Sequence, residues 1–255
     1  MQQDTATKTD TAPHRPTDMV QLPYMDFEQP KMRLFSPDDP DLRAPLLAQG
    51  PLAYTQAVKA NPDLVLTPRP EDCRALWQVY SMLPHIQAHS EKVAVMVLGI
   101  TQLAKEKGIE VDVDAAYAAG LMHDIAKTYT VRHRGNHAQI GAAWTMRETR
   151  NPIIANAVAL HVHFPWEEAL DACMARHHLF ITLAVIYADK RVKHDGYVNL
   201  EERFEDLNAR YGVNEQALKR IEQSYLQGKR IENTLSQQLE VDLYAYTPDY
   251  GRLVR

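Results

Sequence analysis

The residues of this sequence that could do chemistry are mostly histidines, and they are concentrated in one part of the chain. Of the 11 histidines, ten fall between residues 85 and 194. Read in order, the strongest candidates are His89, the adjacent pair His123 and Asp124, and Asp189. One buried histidine is more often a hydrogen-bonded core residue than a ligand. An ordered set of imidazoles and carboxylates without thiolates, however, suits a divalent transition metal.

The sequence around these residues resembles the HD superfamily of metal-dependent phosphohydrolases, in its HDIG type. That family is defined by one His, an adjacent His-Asp pair and a distant Asp, each on a different helix. Here the small residues of Ala118–Leu121 precede the pair, Lys127 follows it, and Tyr-Ala-Asp-Lys ends at Lys190. The resemblance covers about residues 85–195. It implies an all-α fold, the HD-domain helical bundle.

Two further histidines match the dinuclear branches of this family, in which a fourth-helix and a fifth-helix His lie between the His-Asp pair and the final Asp. His137 and His161 fall at these positions. His163 is the alternative to His161, which is favoured because it ends the apolar run Ile153–Leu160. The pattern is similar to that of bacterial diadenosine tetraphosphate hydrolases of the HD type, although their closing segment differs from residues 189–192 here.

The resemblance implies a site for two divalent ions. The ligand set would be His89, His123, Asp124, His137, His161 and Asp189. His89, His123, Asp124 and Asp189 would hold one ion, and His137 with His161 would complete the other. Two ions about 3.5 to 4 Å apart need a shared anionic ligand, and Asp124 is expected to bridge them. Fe is the first expectation for the metal, with Mn, Ni, Co and Zn as alternatives.

Ions held in this way activate a water molecule for attack on phosphorus. Asp124 and Lys127 are therefore the expected catalytic residues. Lys127 lies one turn after His123, where the family's His-Asp-x-Gly-Lys lysine holds phosphate oxygen, although Ala126 replaces the glycine here. A solvated surface lysine is the alternative. Lys190 and Arg191 are also expected to bind substrate phosphate, although cations at a helix end can simply favour the helix dipole.

The function predicted from this set is cleavage of a phosphate ester or anhydride in a nucleotide-type substrate. The enzyme would be a phosphomonoesterase, a phosphodiesterase or a dinucleoside polyphosphate hydrolase. One alternative is a di-iron oxygenase, since inositol and phosphonate oxygenases of the HD fold use the same six ligands. Another is a non-catalytic nucleotide-binding HD module. The ligands alone do not separate these readings.

Charge and composition limit the kinds of partner and the location that are expected for this chain. The chain has 255 residues and a formal net charge of −5, without a long basic block, so stable nucleic-acid binding is not expected and a small phosphorylated molecule is the expected partner. Cys73 and Cys173 are far apart and show no CxxC spacing. The longest apolar run, Val93–Ile100, is too short to span a membrane. With no apolar leader in residues 1–18, the expected location is the cytoplasm, and a homodimer is left open.

The elements that must position these residues begin after residue 70. Eleven of the 15 prolines precede residue 71, so residues 1–20 are expected to be a disordered tail and residues 21–70 a Pro-rich, mostly irregular arm that packs on the core. Residues 71–212 are expected to form the HD domain, and residues 213–255 a helix and tail. Apolar spacing predicts helices over Glu71–Met82, Pro84–Lys107, Val113–Ala126, 137–148, Pro152–His161, Ala169–Ala175, His177–Lys193, Leu200–Tyr211 and 214–238.

Overall fold

The computed structural model describes residues 65–165, 170, 177–194 and 196–248, and in these the fold is all-α, as predicted. The helices are α1 Pro70–Val79, α2 Pro84–Glu106, α3 Val113–Met122, α4 Lys127–His133, α5 His137–Thr149, α6 Pro152–Leu160, α7 His177–Lys190, α8 Leu200–Tyr211 and α9 Glu215–Leu239. Strands β1 Val192–Lys193 and β2 Gly196–Tyr197 form a small antiparallel pair. Most of these bounds lie within a few residues of those predicted from apolar spacing.

Side-chain capping explains why several helices begin where they do. Asp112 accepts a hydrogen bond from the backbone N–H of Ala115 at the start of α3, and Asn136 accepts from two N–H groups of α5. Asn151, Asn199 and Asn214 cap α6, α8 and α9 in the same way. Each cap satisfies backbone donors that have no partner inside the helix, so these starts are encoded locally.

Helix α2 is the centre of the bundle and packs against α3 and α7. Its residues Val93–Val97 are all buried, so this stretch is enclosed on every side. The contact with α3 is close enough that a Cβ on Gly120 would lie 2.6 Å from the Cα of Ala94. Glycine therefore allows the two backbones to meet, and this brings the imidazole rings of His89 and His123 to 5.4 Å between centroids.

The structure differs from the sequence prediction after α3. A single helix over Val113–Ala126 was expected, but α3 ends at Met122 and a turn over residues 123–126 leads into α4, which was not predicted. In this turn Ile125 N–H donates to the Met122 carbonyl and Lys127 N–H to the Asp124 carbonyl. These three-residue closures tighten the chain relative to an α-helix. The turn lets two adjacent side chains, His123 and Asp124, point to the same centre.

A second difference lies at the end of α7, which was predicted to continue to Lys193. The helix ends at Lys190, and β1 and β2 form a hairpin that is closed by a hydrogen bond from Val198 N–H to the Arg191 carbonyl. His194 in the connection has a φ of 57°, in the left-handed region. The hairpin turns the chain from α7 into α8, so that both helices border the same cavity.

Some expectations fall on parts of the chain outside the described residues. These are the tail over residues 1–20, the arm as far as residue 64, and, except for Leu170, the helix expected over Ala169–Ala175. At the end of the arm, Leu66 N–H donates to the Thr149 carbonyl at 2.8 Å, which ties this point to α5. Among the described residues, no helix combines the length and apolar character that crossing a membrane requires.

Candidate metal centre and active-site cavity

Six side chains from five parts of the bundle converge on one centre. Two groups of potential ligands, His89–His123–Asp124 and Asp124–His137–His161, each have their ligand atoms within 4.8 Å of one another. Asp124 belongs to both groups. The sixth side chain, Asp189, places Oδ1 3.0 Å from Nε2 of His89 and 3.6 Å from Nε2 of His123. The arrangement is two adjoining ligand groups that share one carboxylate.

Backbone carbonyls orient two of the imidazoles toward this centre. His123 Nδ1 lies 2.8 Å from the carbonyl of Gly120, and His161 Nδ1 lies 2.7 Å from that of Val158. Because a carbonyl can only accept a hydrogen bond, Nδ1 carries the proton in both rings. Nε2 is then the atom that offers a lone pair to a ligand. Both acceptors are three residues upstream, and metal-binding histidines commonly donate their other ring N–H to a backbone carbonyl in this way.

The second group is built where α5 begins and α6 ends. His137 is the first residue of α5, and its Nε2 lies 3.3 Å from Oδ1 of Asp124 and 3.1 Å from Nε2 of His161. His161 directly follows α6 and is 1% exposed. His163 is exposed, and neither potential ligand group among the described residues includes it. The geometry therefore favours His161 as the ligand.

The donor set fits divalent metal ions. His123 Nε2 and Asp124 Oδ1 are buried, and no protein hydrogen-bond partner satisfies either atom among the described residues. A buried polar atom without a partner is costly unless something else supplies one. The atoms are imidazole nitrogens and carboxylate oxygens, a mixture that suits first-row transition metals.

The charges of these groups are strongly coupled. Burial lowers the pKa of His123, but the carboxylates of Asp124 and Asp189 raise it by more, so that it reaches about 10. Burial raises the pKa of both carboxyl groups, yet the neighbouring cationic groups bring each well below its usual value. For His137, burial lowers the pKa to about 4, so this ring is neutral at pH 7 and ready to bind a cation.

Metal binding should therefore depend on pH through His123. Because Nδ1 of His123 donates to the Gly120 carbonyl, a proton and a metal cation compete for Nε2 of the same ring. In the absence of metal the proton is favoured below pH 10. The two carboxylates and His137 are already deprotonated above pH 7. We expect the affinity for Mn²⁺ to rise about tenfold per pH unit between pH 7.5 and 8.5, because one proton is released per ion bound at this ligand.

Isothermal titration calorimetry in buffers of different ionisation enthalpy measures this proton release directly. The His163→Ala variant is the matched control, since His163 is exposed and should leave the proton count unchanged. An affinity that stays constant over this pH range, with no buffer-dependent enthalpy, would contradict the protonation state assigned to His123.

All of these potential ligands except His123 line a cavity of about 790 Å³ that is open to solvent. Lys127 lines it and pairs with Asp124 at 2.6 Å between Nζ and Oδ2. Burial lowers the pKa of Lys127, but Asp124 outweighs this and the net shift is upward, so the ammonium keeps its charge. Lys190 also lines the cavity, is 4% exposed, and has Nζ 3.5 Å from the carbonyl of His161. Burial lowers the pKa of Lys190 to about 8.

Arg191, the third residue expected to bind phosphate, does not line this cavity. Its guanidinium donates to the carbonyls of Val198, Leu243 and Tyr246 and to the hydroxyl of Tyr187. The side chain is 3% exposed. Since these contacts hold the segment after α9 against the end of α7, we assign Arg191 a structural role in place of the expected contact with substrate.

The cavity residues supplied by α8 were not predicted from the sequence. Arg203 and Arg210 line the cavity together with Phe204, Leu207 and Tyr211. Their spacing of three and four residues marks one helix face, which could have been read from the sequence. Nothing local indicated that this face meets the metal centre, because the contact depends on the hairpin turn that precedes α8.

Comparison with known proteins gives a family match over the part of the chain that carries this site. Residues 86–209 match the family model of the HD domain, and this range contains all six potential ligands, Lys127, Lys190 and Arg203. No solved structure gives a significant match to the chain.

Several relatives carry the name Ribonuclease Y. The protein from Opitutus terrae is 35% identical over 82 residues, which are 32% of this chain and 15% of the relative. The one from Lachnoclostridium phytofermentans is 35% identical over 119 residues, 47% of this chain and 22% of the relative. That from Mycoplasma mycoides is 36% identical over 77 residues, 30% of this chain and 17% of the relative. The chain thus spans less than a quarter of the length of these relatives.

Proposed function

Residues 86–209 belong to the HD domain family, and on that premise we propose that the protein is a metal-dependent phosphohydrolase that cleaves a phosphate ester or anhydride of a nucleotide-type substrate. The observation that carries this proposal is the pair of ligand groups that share Asp124 at the wall of a cavity that lysines also line. Enzymes that transfer phosphoryl groups commonly combine metal ligands with cationic side chains in one site.

The proposal includes two ions. His89, His123, Asp124 and Asp189 would hold the first, and Asp124, His137 and His161 the second, with Fe as the first candidate metal and Mn, Ni, Co or Zn as alternatives. When bound, such ions supply Lewis-acid charge and activate a water molecule. A shared carboxylate supports this reading, because it offsets the repulsion between two nearby cations.

The protein's own cations would hold the phosphate. Lys127 reaches Asp124 and lines the cavity, so its ammonium is in position to bind a non-bridging oxygen of the substrate. Lys190 lies on the same cavity beside Asp189. Fixed positive groups in a partly enclosed site stabilise the charge that develops on phosphoryl oxygens without reorganising at the moment of reaction.

A phosphodiester of RNA is a second candidate substrate. The relatives described above are named Ribonuclease Y, and the name supports RNA as a substrate class to test. This candidate contradicts the expectation from net charge, which was that the partner is a small molecule and not nucleic acid. Because the cavity is open to solvent, we propose both a free nucleotide and the end of a strand as ligands to test.

The proposal is tested by phosphate release and product analysis on a substrate panel. Protein purified without oxygen and loaded with Mn²⁺ or Fe²⁺ is given nucleoside monophosphates, dinucleoside polyphosphates, cyclic nucleotides and a short single-stranded RNA. We expect turnover of at least one class under argon, with loss in EDTA and recovery on adding the ion. Cleavage of the RNA alone would select the second candidate.

Two results would contradict the proposal. The first is the absence of turnover of every substrate in the panel by protein that has ions bound. The other is substrate-dependent oxygen uptake on an oxygen electrode, which would favour the oxygenase alternative.

A further inference from the structure

Helix α8 presents one face to the cavity that holds the metal centre. Arg203, Phe204, Leu207, Arg210 and Tyr211 all line it, at the spacing of a single helix face. Arg203 and Arg210 are separated along the axis by about 10 Å, given a rise of about 1.5 Å per residue. None of the five belongs to the two ligand groups. The face therefore adds a second set of chemical groups to the same cavity.

The charge of this cavity is divided between its two sets of groups. The carboxylates that line it within the described part of the chain are Asp124 and Asp189, and both stand in the ligand set. The lysine and arginine side chains that line it in the described part of the chain are Lys127, Lys190, Arg203 and Arg210. Once the carboxylates are committed to metal ions, the remaining wall is positively charged and attracts an anion.

The cations of α8 are only partly neutralised by protein groups. Asp206 is 3.5 Å from Arg203 and 3.6 Å from Lys193, and it also pairs with Arg210. One carboxylate thus serves three cations. Arg203 is only partly satisfied, because its side chain is 12% exposed and its buried Nε has no hydrogen-bond partner among the described residues. A guanidinium has five N–H donors, so Arg203 keeps capacity for an incoming acceptor.

We infer that Arg203 binds a second phosphate group of the substrate, separate from the phosphate that is cleaved at the metal centre. This inference rests on the proposed function and deepens it, since it restricts the substrate to nucleotides that carry at least two phosphates, such as the end of an oligonucleotide. The planar fork of a guanidinium matches phosphate oxygens, which favours a phosphate over a neutral group at this position. Arg203 is thus a specificity-determining residue.

The test compares two ligands that cannot be hydrolysed. These are the methylene phosphonate analogues of adenosine 5′-monophosphate and adenosine 3′,5′-bisphosphate, titrated calorimetrically into the Mn²⁺-loaded protein. We expect the bisphosphonate to bind about ten to a hundred times more tightly, because one charge-assisted contact to phosphate is worth that much. In Arg203→Gln the ratio should fall to near one, mainly through weaker binding of the bisphosphonate.

Two further variants separate this effect from loss of charge or of folding. Arg220→Gln removes the same charge from an exposed position on α9 outside the cavity lining, and it should keep the ratio. Asp206→Asn removes the carboxylate that competes for Arg203, and it should tighten bisphosphonate binding severalfold. Misfolding cannot produce a gain of affinity, so this variant gives a test of opposite sign.

A wild-type protein that binds both analogues equally would overturn the inference, and so would an Arg203→Gln variant that keeps the preference. Either result would leave the proposed function standing if the substrate panel shows turnover. Absence of turnover across that panel would instead remove the proposed function itself. The two failures are therefore distinguishable.

Discussion

Replacing Asp124 with Asn is expected to lower phosphohydrolase turnover by about three orders of magnitude or more, since the charge stabilisation that metal ions supply is worth several kcal/mol. Asp124 is fully buried and is the only residue common to both ligand groups in the described chain. Its Oδ1 lies 3.3 Å from Nε2 of His137, and its Oδ2 lies 3.4 Å from Nε2 of His123. Asparagine keeps the volume but removes the negative charge, so the variant should lose metal and activity together.

The measurement pairs initial rates with metal content determined by mass spectrometry of the same preparation. Asp114→Asn is the matched control. Asp114 is exposed in the first turn of α3, so this variant makes the same chemical change away from the centre. The control should retain full metal content and turnover. An Asp124→Asn protein that kept two ions and wild-type turnover would show that this carboxylate does not bridge the ions.

Replacing His161 with Ala is expected to reduce the metal content from two ions to one and to lower turnover about a hundredfold or more, because a missing ion removes part of the charge that stabilises the transition state. His161 is held by its Nδ1 contact to Val158, and its Nε2 lies 3.7 Å from Oδ1 of Asp124. The first group keeps all its ligands in this variant. The remaining ion should therefore be the one bound by His89, His123, Asp124 and Asp189.

The comparison variant for this prediction is His163→Ala, two residues away and exposed. It should retain two ions per chain and turnover close to that of the wild type. Metal content after dialysis, together with the rate on the best substrate of the panel, decides between the two histidines. The reverse pattern, with loss in His163→Ala and retention in His161→Ala, would move the second site to His163.

The secondary structure could be predicted well from the sequence because its signals are local. Apolar spacing located α2 and α8, and the side chains of Asp112 and Asn136 marked the starts of α3 and α5. The turn over residues 123–126 escaped prediction because its residues continue a helical apolar pattern. Burial of Asp124 in the centre depends on contacts with residues far away in the chain, and these are invisible to periodicity.

The candidate ligands could also be named from the sequence, because their order and immediate neighbours resemble a known family. Their convergence depends on the close contact of α2 with α3 at Gly120 and on the ends of α3 and α6 meeting the start of α5. The imidazole tautomers followed only from the structure, since the carbonyls of Gly120 and Val158 had to lie within hydrogen-bond distance.

The sequence by itself determined the residue types, most of the helical elements and the class of chemistry, because these depend on composition, spacing and local motif. The tertiary structure alone decided which cations face the cavity. Arg191 is two residues after Asp189 and yet points into the contact with the chain after α9, whereas Arg203 lies in a helix beyond the hairpin and lines the cavity. The direction of a side chain is set by how helices pack over long distances, and neighbours in sequence carry little of that information.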